Sequence, residues 1–174
     1  TALGVVLLMG ATVGIAPAAP LPTASPPDSM QVPVLLAAAI NTSPTTLGIA
    51  DSTLYNLSDA EMNKTLDQLL ALGVQDVRIA VPWAYVQPYN AQTYDWAKLD
   101  SIVNAATARD MGVLGVINAT PAWAGPILNG HPDPEDFAEF TSAVATRYSG
   151  KIAAYEVWNE PNGVIFYSPV SPED

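Results

Sequence analysis

From residue 47 to residue 158 short apolar runs alternate with amphipathic stretches, and this alternation limits the fold more than any other feature of the sequence. Leu47-Gly48-Ile49-Ala50, Val77-Arg78-Ile79-Ala80-Val81, Val113-Leu114-Gly115-Val116-Ile117 and the segment from Ile152 to Trp158 read as strands. Three helices are expected between them. The first runs from Ser58 to Leu72. Ser58 and Glu61 form a capping box, Leu57 and Met62 occupy staple positions, and Gly73 is placed to end the helix. Met62, Leu66, Leu69 and Leu70 make its apolar stripe. The second runs from Asp95 to Met111, with Leu99, Ile102, Val103 and Ala106 on one face. The third starts at Asp133-Pro134, with proline at the first helical position, and buries Phe137, Phe140, Val144 and Tyr148 before Gly150 closes it. Ser171-Pro172-Glu173-Asp174 resembles a further helix start.

The order β-α-β-α-β-α-β calls for a parallel sheet with right-handed crossovers. Strands this apolar, with little alternation, suit a sheet covered on both faces. An open doubly wound sheet and a (β/α)8 barrel both fit. A complete barrel takes about 250 residues, and the 174 here hold about four units. Four units alone would leave two open edges and an inner face expected to carry Ile, Val, Ala and Trp side chains.

Residues 2–16 are uncharged and mostly apolar, and Ala16-Pro17-Ala18 has the small-residue spacing of a signal-peptidase site. Residues 1–18 are therefore expected to be an export signal, incomplete at its start because no Lys or Arg precedes Lys64. The apolar stretch falls short of the roughly 20 residues that a spanning helix needs, so no stable membrane span is expected. Residues 19–46, rich in Pro, Ala and Ser, read as a linker, and residues 47–174 as the folded domain of a secreted protein.

Composition narrows the chemistry. With no Cys and a single His, His131, neither thiolate metal sites nor clustered-His sites can be built. A net charge of −11 opposes nucleic acid as a partner. No nucleotide-binding, serine-hydrolase or Ca²⁺-loop motif occurs, and neither a metal nor an organic cofactor is expected.

The strongest chemical signal is Tyr155-Glu156-Val157-Trp158-Asn159-Glu160-Pro161-Asn162. It ends the fourth strand, and in a barrel the C-terminal strand ends form the active-site face. Glycoside cleavage needs a carboxylic acid beside the scissile oxygen, tuned to carry a proton near neutrality. An adjacent amide suits a sugar hydroxyl, and Pro161 forces the chain to turn.

Trp-Asn-Glu-Pro at the end of a fourth strand resembles the clan A glycoside hydrolases, families 5 and 39 in particular. Val77 to Trp83 followed by Tyr94-Asp95-Trp96, and Thr120-Pro121-Ala122-Trp123-Ala124, resemble that clan's second strand and third-strand loop. The family 39 pattern fits better, because the third strand ends Ile117-Asn118-Ala119 where family 5 commonly has a His. The resemblance implies a (β/α)8 barrel with Glu160 as catalytic acid/base and Asn159 binding the sugar 2-hydroxyl. It puts the nucleophile on a seventh strand, beyond this stretch, so that these residues alone are expected to be inactive.

Other candidates follow from position. Arg78 is a lone cation in an apolar strand, where an unpaired charge is costly. Either it pairs with Glu156 inside the barrel or, as the resemblance implies, it hydrogen-bonds the nucleophile and keeps it ionised. Glu156 shares the nominal strand face of Glu160 and should sit about 13 Å deeper, as a structural residue. Trp83, Tyr85, Trp123 and Trp158 lie at strand ends or in the loops after them, where aromatic faces stack on sugars; for Trp158 packing is an equal reading. Asn118 is a polar candidate, Asp51 a hydroxyl ligand or a turn cap, and His131 a loop residue. Two functions are consistent with this set: an exported retaining glycosidase, and a secreted carbohydrate-binding protein on a degenerate barrel. Either would take an oligosaccharide, polysaccharide or glycoside.

Overall fold

The computed structural model describes residues 46–169. The expected export signal, all but the last residue of the linker and the helix start at Ser171 lie outside them.

Four strands form one sheet in the order β1-β2-β3-β4, every neighbouring pair parallel. They are β1 (Leu47–Ala50), β2 (Val74–Pro82), β3 (Gly112–Asn118) and β4 (Ala154–Val157). Helices fill the crossovers: α1 (Asp59–Ala71), the single turn α2 (Trp83–Val86), α3 (Ala97–Thr107) and α4 (Pro134–Arg147). Sequential order with parallel pairing is the topology of a (β/α)8 barrel and not of a doubly wound sheet, whose strand order reverses. The described residues supply its first four strands.

Helix limits follow from local chemistry. Ser58 Oγ accepts from the Glu61 amide while Glu61 accepts from the Ser58 amide, so the capping box forms as the spacing predicts. Gly73, at φ +84°, gives α1 the left-handed residue that ends it. Asp133 caps α4 through the Glu135 amide, with Pro134 at the first position. Of the α1 stripe, Met62, Leu66 and Leu69 are buried, but Leu70 is exposed on the solvent side. The helix expected to reach Met111 stops at Thr107. The Met111 amide returns to the Ala106 carbonyl, and the Met111 side chain plugs the core below it.

Strand alternation divides the sheet's two faces. Val77, Ile79, Val81, Val113 and Ile117 are buried in the core cluster against the helices. The alternate residues form the inner face: Ala50, Arg78 and Ala80, with Leu114, Val116 and Glu156. That corrects the expected inner lining. The isoleucines of β2 and β3 lie on the helix side, and the inner face carries an Arg and a Glu among small and aliphatic residues.

The outer layer is cross-braced by charge. Arg147 Nε and Nη2 donate to the two carboxylate oxygens of Asp100 at 2.9 and 2.5 Å, and the Tyr148 hydroxyl donates to Asp100 at 2.9 Å. The Arg147 hydrogen bond, helped by that of Tyr148, holds the Asp100 carboxyl below the usual carboxylate range against the opposing effect of partial burial. A carboxyl whose pKa is lowered by folding stabilises the fold above its unfolded value, and the contribution is lost as pH falls through the folded value. Asp100→Asn should therefore lower stability near neutrality, yet make the melting temperature less sensitive to acid between about pH 5 and about pH 2. Parallel melting curves across that range check it, and equal slopes for both proteins would contradict it.

Candidate active site

The C-terminal ends of the four strands gather the predicted residues, but not all in the expected orientation. β2 ends at Pro82, and the chain turns directly into α2 with Trp83 fully buried, at 0% exposure. Its ring stacks on Phe140 at 5.4 Å and meets Trp123 and Phe137 edge-on. The indole N–H donates to Gln87 Oε1 at 2.6 Å, one helical turn on. Trp83 cannot lie against a sugar; the substrate-facing expectation is corrected because burial and a buried acceptor hold the ring inside. Gln87, itself buried, also takes the Trp123 indole N–H on its backbone carbonyl at 2.7 Å and donates from Nε2 to the Ala91 carbonyl at 2.8 Å. It thus clamps both tryptophans and the loop beyond. Sequence reasoning missed Gln87, although the Trp83/Gln87 spacing of one helical turn is a usable signal.

Trp123 is half-buried, edge-on to Trp83. Tyr85 is 55% exposed and stacks on Tyr55 at 5.6 Å, a partner that no local pattern singles out. Burial, followed by the charge of Asp95, pushes the Tyr55 hydroxyl up to about 12, so it remains a proton donor throughout the neutral range. Asp51 resolves to a turn cap, accepting from the Thr53 amide and hydroxyl. Asn118, half-buried, ends β3 in the same alternation as Leu114 and Val116, at the rim of the inner face.

At β4 the alternation breaks. The strand ends at Val157, and Trp158 takes φ +65° and Glu160 φ +46°, left-handed values uncommon for side chains of this size. One left-handed residue reverses which side the next side chain takes. Trp158, expected within the strand, leaves the inner face and packs against Phe137 and Tyr167, its indole N–H donating to the Phe166 carbonyl at 2.7 Å. Packing is therefore the reading the structure supports for Trp158. Asn159 turns inward instead. The extended-strand estimate of the Glu156–Glu160 separation does not apply, because the backbone between them is not extended.

Arg78 joins the inner face to this turn. Its Nε and Nη2 donate to Glu156 Oε2 at 3.0 and 2.6 Å, and Nη2 also donates to Asn159 Oδ1 at 3.0 Å. The pairing with Glu156 forms as one of the two expectations had it. Nη1 makes no hydrogen bond among the described residues. Arg78 and Glu156 are 29% and 41% exposed at their side chains, so the pair is open to the barrel interior. The Glu160 side chain is exposed and makes no hydrogen bond or ion pair among the described residues. His131 stacks on Tyr167 at 3.9 Å, which ties the loop after β3 to that after β4. Among the described residues no group of three His, Cys, Asp or Glu could hold a metal ion, and no helix is long and apolar enough to cross a membrane.

A family model described as cellulase, glycosyl hydrolase family 5, matches residues 38–166. No curated protein matches the chain. Among solved structures the chain is similar to a family 39 glycoside hydrolase from the gut symbiont Bacteroides cellulosilyticus WH2, at 19% identity and TM-score 0.57 over 67% of this chain and 24% of that one. It is also similar to the family 39 enzyme of Xanthomonas axonopodis pv. citri, at 21% identity and TM-score 0.55 over 74% and 29% of the two chains. A β-galactosidase from the psychrophilic Marinomonas ef1 gives 15% identity and TM-score 0.54 over 64% and 21%. At such identities the likeness establishes the fold, a (β/α)8 barrel, of which the chain spans between 21% and 29% of those proteins' length. The third strand pointed to family 39, and two of these structures are of that family, whereas the match in sequence is to family 5.

The contrast between Trp83 and Tyr85 is testable in the complete barrel. Trp83→Ala removes a fully buried ring and should cost about 3–5 kcal/mol of stability. Tyr85→Ala, at an exposed face, should change stability by about 0.5 kcal/mol or less. Urea unfolding of both variants measures this, and equal losses would show that Tyr85 belongs to the core.

Proposed function

The chain belongs to the cellulase family, glycosyl hydrolase family 5, and from that premise we propose that the protein hydrolyses O-glycosidic bonds with retention of configuration, Glu160 serving as general acid and base. The observation that carries this reading is Glu160 itself. It is an exposed carboxyl just past the C-terminal end of β4, beside an Asn anchored by the inner-face Arg78.

In the first step the Glu160 carboxyl gives its proton to the departing glycosidic oxygen as a second carboxylate attacks the anomeric carbon. The carbon–oxygen bond breaks and a glycosyl ester forms. In the second step the Glu160 carboxylate takes a proton from water, the water oxygen bonds to the anomeric carbon, and the ester carboxylate is released. The second carboxylate is assigned to a later strand of the barrel, about 5–5.5 Å from Glu160 as retention requires. Arg78 keeps Nη1 available for it, and a guanidinium beside a carboxylate favours the ionised, nucleophilic form. Asn159 is assigned to the sugar 2-hydroxyl, and Tyr85, Trp123 and Asn118 to the walls of the cleft. The substrate is an oligosaccharide, polysaccharide or glycoside. Export is part of the proposal and rests on residues 1–18, with residues 19–46 as a linker to the barrel.

In the complete barrel, Glu160→Gln keeps the shape and removes the proton. Turnover of glycosides with poor leaving groups should fall by about 10²–10⁴. Aryl glycosides with activated leaving groups should lose far less in the glycosylation step, because their leaving group hardly needs a proton. Equal losses on the two substrate types in that step would remove Glu160 from the acid role. Sugar binding without turnover in the unmodified protein would favour a carbohydrate-binding barrel.

A further inference from the structure

The Arg78 contacts reach further than the ion pair expected from the sequence. A guanidinium has donors only. The Asn159 atom that faces Arg78 Nη2 at 3.0 Å must therefore be the side-chain oxygen, since a flipped amide would set N–H against N–H. Asn159 Nδ2 then turns away from Arg78, with no partner among the described residues. The guanidinium is held in turn by Glu156, which accepts from both Nε and Nη2 through one oxygen. Two donors on a single carboxylate fix the plane of the guanidinium, not merely its distance.

We propose that Glu156 is a positioning residue: by locking the Arg78 guanidinium it holds the Asn159 amide with its oxygen inward and its NH₂ towards the cleft, so that Asn159 meets the sugar as a donor. This rests on the glycosidase reading for its substrate contact, but the linkage between the three side chains stands apart from that reading. It also explains a three-residue spacing, Glu156 to Asn159, that an extended strand would place on opposite faces. Glu156 lies on the inner face, and the left-handed turn at Trp158 brings Asn159 back to the same guanidinium.

The test uses the complete barrel and two aryl glycosides of one sugar, one with the 2-hydroxyl and one lacking it. Intrinsic reactivity differs between the two substrates, but the difference cancels when variants are compared. Asn159→Ala should shrink the preference for the hydroxylated substrate, in kcat/KM, by about three- to tenfold, the worth of one hydrogen bond. Glu156→Ala should shrink it by a similar factor and add little in the Asn159→Ala background. Glu156→Gln, which still offers an oxygen to Arg78, should keep most of the preference. A Glu156→Ala protein with a lower melting temperature but an unchanged preference would overturn the proposal. A second cycle needs no turnover: the losses in melting temperature from Glu156→Ala and Asn159→Ala should be non-additive. Coupling in an inactive barrel would fault the glycosidase reading and leave the linkage standing. Additive losses would sink the linkage whatever the activity.

Discussion

The top of this half-barrel depends on one buried ring. Trp83 lies where β2 turns into α2 and touches Trp123 from the loop after β3 and Phe137 and Phe140 from α4. Phe137 reaches on to Trp158, which meets Tyr167, which stacks on His131. Three successive strand ends are thereby joined through a continuous aromatic seam on the helix side of the sheet. Flat rings with few rotatable bonds lose little entropy on ordering, and edge and stacked pairs add about 0.5–1.5 kcal/mol each beyond the area they bury. Loops after strands would otherwise be the most mobile part of the barrel. The residues that carry chemistry inherit their positions from this seam, since Asn159 and Glu160 directly follow one of its members.

The polar complement lies on the opposite face. Arg78 would be a costly residue in an apolar strand without partners, and its partners come from the same inner face of β4 and from the turn just beyond it. The aromatic seam fixes the backbone from outside, while the guanidinium fixes the side chains from within. The value of the pair for the site lies in its geometry. A planar fork constrains orientation in a way that a point charge would not.

How much of this was legible in the sequence depends on whether the signal was local. The α1 capping box, the Pro134 start of α4 and the buried faces of α3 and α4 are set by neighbours three or four residues away, and they form as read. The apolar strands and their order required a parallel sheet; the Trp158-Asn159-Glu160-Pro161 run selected the barrel. Three readings failed or were incomplete for tertiary reasons. Trp83 sits at a strand end like a sugar-binding residue, but Phe137 and Phe140 of α4 and the buried Gln87 acceptor hold it inward. Leu70 fits the α1 stripe by spacing and lies at its solvent edge. The Arg78–Asn159 contact joins residues far apart in sequence across three strands, and no local pattern encodes it.

The break in alternation at Trp158 was invisible for a different reason: a strand pattern carries no mark of where one residue leaves it. A left-handed conformation costs a non-glycine residue about 1–2 kcal/mol, so something must hold Trp158 there. Its amide donates to the Ile117 carbonyl at 2.8 Å, its indole N–H to Phe166, and its ring is buried in the seam. A buried Trp offsets that cost several times over, which a small residue at 158 would not. Had the strand continued, Trp158 and Glu160 would have shared the inner face with Glu156 and Asn159 would have faced the helices. The single reversed residue exchanges Trp158 for Asn159 on the inner side, as β-bulges do where strands re-aim a side chain beside a functional site. The large side chain therefore serves the fold by being strained, and the strain puts the small amide next to Arg78 and the carboxyl of Glu160 immediately beyond it.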